Sequence, residues 1–147
     1  MVLALLAIVC QSVFAANKTF PIKGTIVSPA DKHIRYTGRI SFTNPDRPTW
    51  NFPGVQIIAA FEGTSLRMMA KPKSGYFMAQ IDQAEPFKVA FRGERDSVVT
   101  LATALPDARH TVRLMYIIEG YEFFPEFWGF VLDKGRRLAE PPVLPTR

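Results

Sequence analysis

This chain is cut at short intervals by proline and glycine, twelve of one and nine of the other. Proline brings no amide donor and clashes with a preceding helical turn, so pieces this short leave little room for long helices. Between the cuts, apolar residues recur with period two. In Pro86–Arg92, Phe87, Val89 and Phe91 point one way and Lys88 and Arg92 the other. Leu66, Met68 and Ala70 repeat the pattern against Arg67 and Lys71, and Thr111–Tyr116 carries it again. Successive side chains of a strand face opposite sides, so each run offers one face to a core and one to water. Val55–Phe61 and Phe127–Leu132 are apolar almost throughout, as central strands are.

The breaks supply the connections. Glu62-Gly63-Thr64-Ser65, Asp82–Pro86, Pro106–Arg109 and Asp133–Arg136 read as hairpins, with Gly63 free to take a positive φ, and Pro72–Gly75 reads as a turn. Asn44–Pro48 cannot continue a ladder, because neither of its prolines donates. About nine strands result, spaced roughly 8–12 residues apart, which predicts an all-β chain: an antiparallel β-sandwich or jelly roll. The 147 residues suit one domain, and 48% hydrophobic with 12% aromatic residues is enough for a core. The net charge of +5 is scattered one or two cations per strand or turn. A nucleic-acid binder gathers its charge on one face, so no nucleic-acid partner is expected.

Residues 1–15 read as a signal peptide. An unbroken apolar run ends in Val13-Phe14-Ala15, a small-x-small cleavage pattern, although no Lys or Arg precedes it. The run is shorter than the about 20 residues a bilayer requires. Cleavage there removes Cys10, the sole cysteine, and leaves a secreted or periplasmic chain with no disulfide and no membrane attachment. The domain is then expected over residues 16–139. Glu140–Pro145 holds three prolines in six residues and is expected to run extended, as a linker over 140–147.

Catalysis by a nucleophile needs a hydroxyl or thiol beside a general base. The chain has two histidines, His33 and His110, both read as surface or turn residues. There is no Gly-x-Ser-x-Gly elbow and no Gly-Asp-Ser block. Ser65 follows a glycine but precedes a strand, so it reads as a turn residue. No catalytic residue, metal ligand set or cofactor loop is predicted. Aromatic density is the remaining signal: Glu119–Phe130 holds six aromatic residues in twelve, and Trp50 and Phe52 flank Asn51. These rings suit a core, a docking surface for another domain, or a platform on which sugars stack. Trp50, Tyr121, Phe124 and Trp128 are the candidates for the latter two roles.

The order of certain segments resembles the N-terminal β-sandwich domain of carbohydrate esterase family 2. Arg35-Tyr36-Thr37-Gly38-Arg39-Ile40-Ser41-Phe42 is similar to that family's opening strand, and Trp50-Asn51-Phe52-Pro53-Gly54-Val55 to the segment before the next. Phe61–Leu66, Tyr76–Asp82, His110–Leu114 and Trp128–Asp133 with Gly135 follow in the same order, and Pro141-Pro142 resembles the bridge to an SGNH hydrolase domain. The resemblance implies a jelly-roll domain of a secreted enzyme that removes acetyl groups from xylan or related plant cell-wall polysaccharides. It implies an SGNH-type catalytic domain as partner, and that the family's catalytic residues lie beyond Arg147. A free-standing carbohydrate-binding module is the alternative.

Overall fold

The fold, a computed structural model, is described for residues 22–119 and 122–144. The expected signal peptide, Cys10 and Tyr121 lie outside those residues. Among the described residues there are ten strands: β1 (Thr25–Val27), β2 (Arg35–Thr37), β3 (Gln56–Gly63), β4 (Leu66–Ala70), β5 (Gly75–Ile81), β6 (Phe87–Phe91), β7 (Val98–Ala102), β8 (Ala108–Tyr116), β9 (Phe127–Leu132) and β10 (Leu138–Ala139). They form two antiparallel sheets. One has the order β1-β9-β4-β7, the other β10-β3-β8-β5-β6 with β2 also paired to β3. The all-β sandwich that alternation predicts is the fold observed.

Inward rows pack face to face between the sheets. Leu66, Met68 and Ala70 come from β4, Phe77 and Ala79 from β5, and Val112 and Leu114 from β8. Phe61, Phe77, Phe91, Phe127 and Phe130 are fully buried, each burial stabilising the fold by about 1.5–3 kcal/mol. Phe87 belongs to the inward row of β6 but stands at the strand's entrance and is 36% exposed.

Most of the expected hairpins are something else. β3 and β4 lie in different sheets, so Gly63-Thr64-Ser65 carries the chain across the sandwich. The same holds for Pro106–Arg109 and Asp133–Arg136, while Pro72–Gly75 is the turn expected and also joins strands of different sheets. Asp82–Pro86 alone among the four expected hairpins closes one, between β5 and β6. The correction is one of connectivity, since turn chemistry is common to both and only distant partners decide which sheet the next strand joins.

Strand β9 holds a second departure. Strict alternation places Phe127 and Phe130 on opposite faces, yet both are 0% exposed. The register explains it: Met69 faces Gly129 while Ala70 faces Phe127, so Trp128 is the extra residue of a β-bulge. The bulge resets the alternation and turns both phenylalanines inward. Gly129 is required beside it, with φ +112° and a site where a Cβ would stand 2.0 Å from the Val27 carbonyl oxygen.

Candidate functional site

The strands leave two chemically different ends. At one, the starts of β3, β5 and β9 meet the ends of β4 and β8. The loop between β2 and β3 crosses this end and is held by backbone pairing. Ser41 and Thr49 exchange bonds of 2.8 and 3.1 Å, and Phe127 N–H donates to the Pro48 carbonyl at 3.1 Å. Trp50, next in the loop, turns inward. It is 3% exposed, and its ring meets Phe77 and Tyr116 edge-on at 6.0 and 5.6 Å. Burial pushes the Tyr116 hydroxyl up to about 12.

Two shallow hollows meet over Thr49, Trp50 and Asn51. One, of about 450 Å³, is also lined by Arg39 and Phe52; the other, of about 350 Å³, by Lys71 and Phe124. Phe52 is 54% and Phe124 66% exposed. The Arg39 guanidinium lies 5.6 Å from the Phe52 ring centre, in the range of a cation–π contact. Of the four candidates from sequence, Trp50 and Phe124 therefore line one hollow together. Trp50 has its faces in the core and offers no open ring for stacking. Trp128 lines neither hollow; it is half-buried, with the Arg47 guanidinium 5.2 Å from its ring. Arg39, Asn51 and Lys71 were not singled out by sequence, because scattered polar residues carry no signal until the loops are placed.

The other end is polar and tightly bonded. Asp133 accepts from Thr64 N–H at 2.6 Å, from Thr64 Oγ1 at 2.9 Å and from the Ser65 hydroxyl. The Ser65 bond, then Thr64 N–H, hold the Asp133 carboxyl below the usual carboxylate range. Such a carboxylate is a poor base at neutral pH, so Ser65 is anchored by its partner and not activated. Neither imidazole bonds to it. His33 Nδ1 lies 3.0 Å from Asp31 Oδ1, and His110 bonds elsewhere.

His110 corrects the reading of it as a surface or turn residue. It stands on the inward row of β8, 7% exposed, with Nδ1 2.8 Å from Asp82 Oδ2 and Nε2 2.7 Å from the Pro106 carbonyl oxygen. Both ring nitrogens face acceptors, so both bonds form only in the protonated imidazolium. The Pro106 carbonyl and then the Asp82 carboxylate raise the imidazole above its ordinary value. Burial is the largest influence on Asp82 and resists ionisation, but Thr111 N–H and His110 outweigh it and lower that carboxyl. The alternation His110, Val112, Leu114, Tyr116 was the signal for burial; Asp82 as partner was not visible. Among the described residues no group of three or more His, Cys, Asp or Glu is placed to hold a metal.

Residues 36–142 match the carbohydrate esterase 2 N-terminal family. The chain belongs to that family. Among solved structures, this family 2 N-terminal domain is similar to a family two carbohydrate esterase from Cellvibrio japonicus. The TM-score is 0.73 at 20% identity, over 85% of this chain and 37% of that one. It is also similar to a family two carbohydrate esterase from Clostridium thermocellum in complex with cellohexaose. There the TM-score is 0.62 at 27% identity, over 75% of this chain and 34% of that one. A third is a family 2 enzyme plus carbohydrate binding domain from Corynascus thermopiles (Myceliophthora fergusii). Its TM-score is 0.55 at 26% identity, over 78% of this chain and 32% of that one. The family 2 domain thus spans about a third of the length of each structure. No curated protein matches the sequence.

Proposed function

We propose that this chain is the non-catalytic N-terminal jelly-roll domain of a secreted carbohydrate esterase that removes acetyl groups from xylan or a related plant cell-wall polysaccharide. Its partner is an SGNH-type catalytic domain, and its cleaved leader is residues 1–15, with the sandwich over 16–139. The observation that carries this is the family match over residues 36–142, made to an N-terminal unit of esterases of whose chains this one covers only about a third. The bonding of Ser65 to Asp133, away from either imidazole, agrees with a shell that leaves chemistry to its partner. Labelling with a fluorophosphonate, read by intact mass, tests the reading. No adduct is expected on this chain; one equivalent on a single serine contradicts it.

A free-standing carbohydrate-binding module is the second reading, favoured by exposed Phe52 and Phe124 beside polar Asn51. Retardation of this chain in gels containing xylan or glucomannan, lost on Phe124→Ala with folding intact, selects it. Unchanged mobility on a panel of glycans removes it.

A further inference from the structure

The outgoing chain is not a free tail at its base. β10 runs antiparallel to β3, Leu138 opposite Phe61 and Ala139 opposite Ala60. Arg109 then donates to the Glu140 carbonyl, Arg35 donates to the Pro142 carbonyl at 2.7 Å, and His33 Nε2 lies 3.6 Å from the Glu140 carboxylate. Arg35 is opposite Ile58, and Arg109 opposite Glu62, so both arginines stand on the outward row of the six-stranded sheet. Ile58 and Ala60 share that row and are nevertheless 2% and 0% exposed. Glu140–Pro142 therefore lies along β3 as a strap over these two residues.

The strap has a direction. It passes Ala60, then Ile58, and so heads for Gln56 at the start of β3. Beyond Gln56 stand Phe52 and Asn51, and beyond Thr37, opposite Gln56, stands Arg39. The strap is thus aimed at the end of the sandwich that exposes Phe52 and Phe124 around the paired hollows. Exposed aromatic rings with an arginine beside them are the composition of an interface centre.

We infer that this end, built by Arg39, Asn51, Phe52, Lys71 and Phe124, is the seat of the catalytic domain, and that the Arg35–Arg109 clamp fixes how that domain approaches. The inference rests on the proposed esterase reading. A second domain attached through a clamped strap meets this surface at high effective concentration, so even weak apolar contacts hold the two in one orientation. Phenylalanine lacks the hydroxyl or indole N–H that helps fix a sugar's orientation, which favours a protein occupant over a glycan.

Hydrogen exchange on the intact esterase that carries this sandwich, compared with the 147-residue chain alone, tests it. Amides of Arg39, Asn51, Phe52 and Phe124 are expected to slow at least tenfold in the intact enzyme, while Gln83–Glu85 at the opposite end keep their rates. Phe52→Asp with Phe124→Asp abolishes the slowing without changing the thermal midpoint of the chain alone. Arg35→Ala with Arg109→Ala, which removes both clamp bonds to the strap, weakens that slowing in the intact enzyme. Slowing confined to the outward face bearing Ile26 and Val98 leaves the esterase reading in place and overturns this seat. Slowing of the same four amides when xylan is added to the chain alone overturns it in favour of a sugar platform. If no polypeptide with esterase activity on acetylated xylan carries the sandwich, the inference falls together with the reading beneath it.

Discussion

Gly129 shows how one residue sets the position of many. Its φ of +112° is strained for any side chain, and a Cβ would collide with the Val27 carbonyl at 2.0 Å. Because β1 meets β9 there, the clash must displace either an edge strand or the bulge that turns Phe127 inward. Gly129→Ala is expected to cost about 2–4 kcal/mol in urea unfolding. A loss below half a kilocalorie contradicts the account of the bulge. None of this was legible in the sequence Phe127–Phe130. An extra residue in one strand is defined only by its count against the neighbour, and β4 lies some sixty residues away. Trp50 was half legible: its aromatic character marked it for burial or binding, but the loop pairing that turns it inward depends on Pro48 and Thr49 meeting β9.

At the scale of elements, the runs of alternation were readable and their partners were not. Inward residues of β4, β5 and β8 follow from period two alone, because each is half of a buried face. Whether a turn closes a hairpin or crosses between sheets is settled by long-range bonds, such as those from Asp133 to Thr64 across 69 positions. The same long-range bonding makes the join of β8, the β5–β6 turn and the Pro106 loop sensitive to pH. His110 is raised in the folded state, so its contribution is complete below about pH 6.5, the ordinary imidazole value, and fades as pH rises through the higher folded value. Asp82 is lowered, so its contribution is complete above about pH 3.9 and is lost only as pH falls through the lower folded value. Stability is therefore expected to peak in weakly acidic solution. His110→Gln should flatten the alkaline fall and cost about 1–3 kcal/mol near pH 6, the range for a lost charge-assisted bond. Urea midpoints across pH 4–9 check both; an alkaline fall unchanged in the variant contradicts the assignment.

For the whole molecule, fold and family were legible because they are written in order and spacing, from Arg35 to Pro142. The site was less so. Phe124 was singled out as a candidate from composition, while Arg39, Asn51 and Lys71 gather beside it only when five strand ends converge. Whether this sandwich carries nucleophilic chemistry of its own depends on groups that activate a hydroxyl. Here Ser65 is bound to a carboxylate held ionised, and His110 is bound to Asp82 and Pro106. Purified chain should hydrolyse 4-nitrophenyl acetate no faster than its heat-denatured control. Turnover above that control, abolished by Ser65→Ala, would show that the chemistry resides in this sandwich after all.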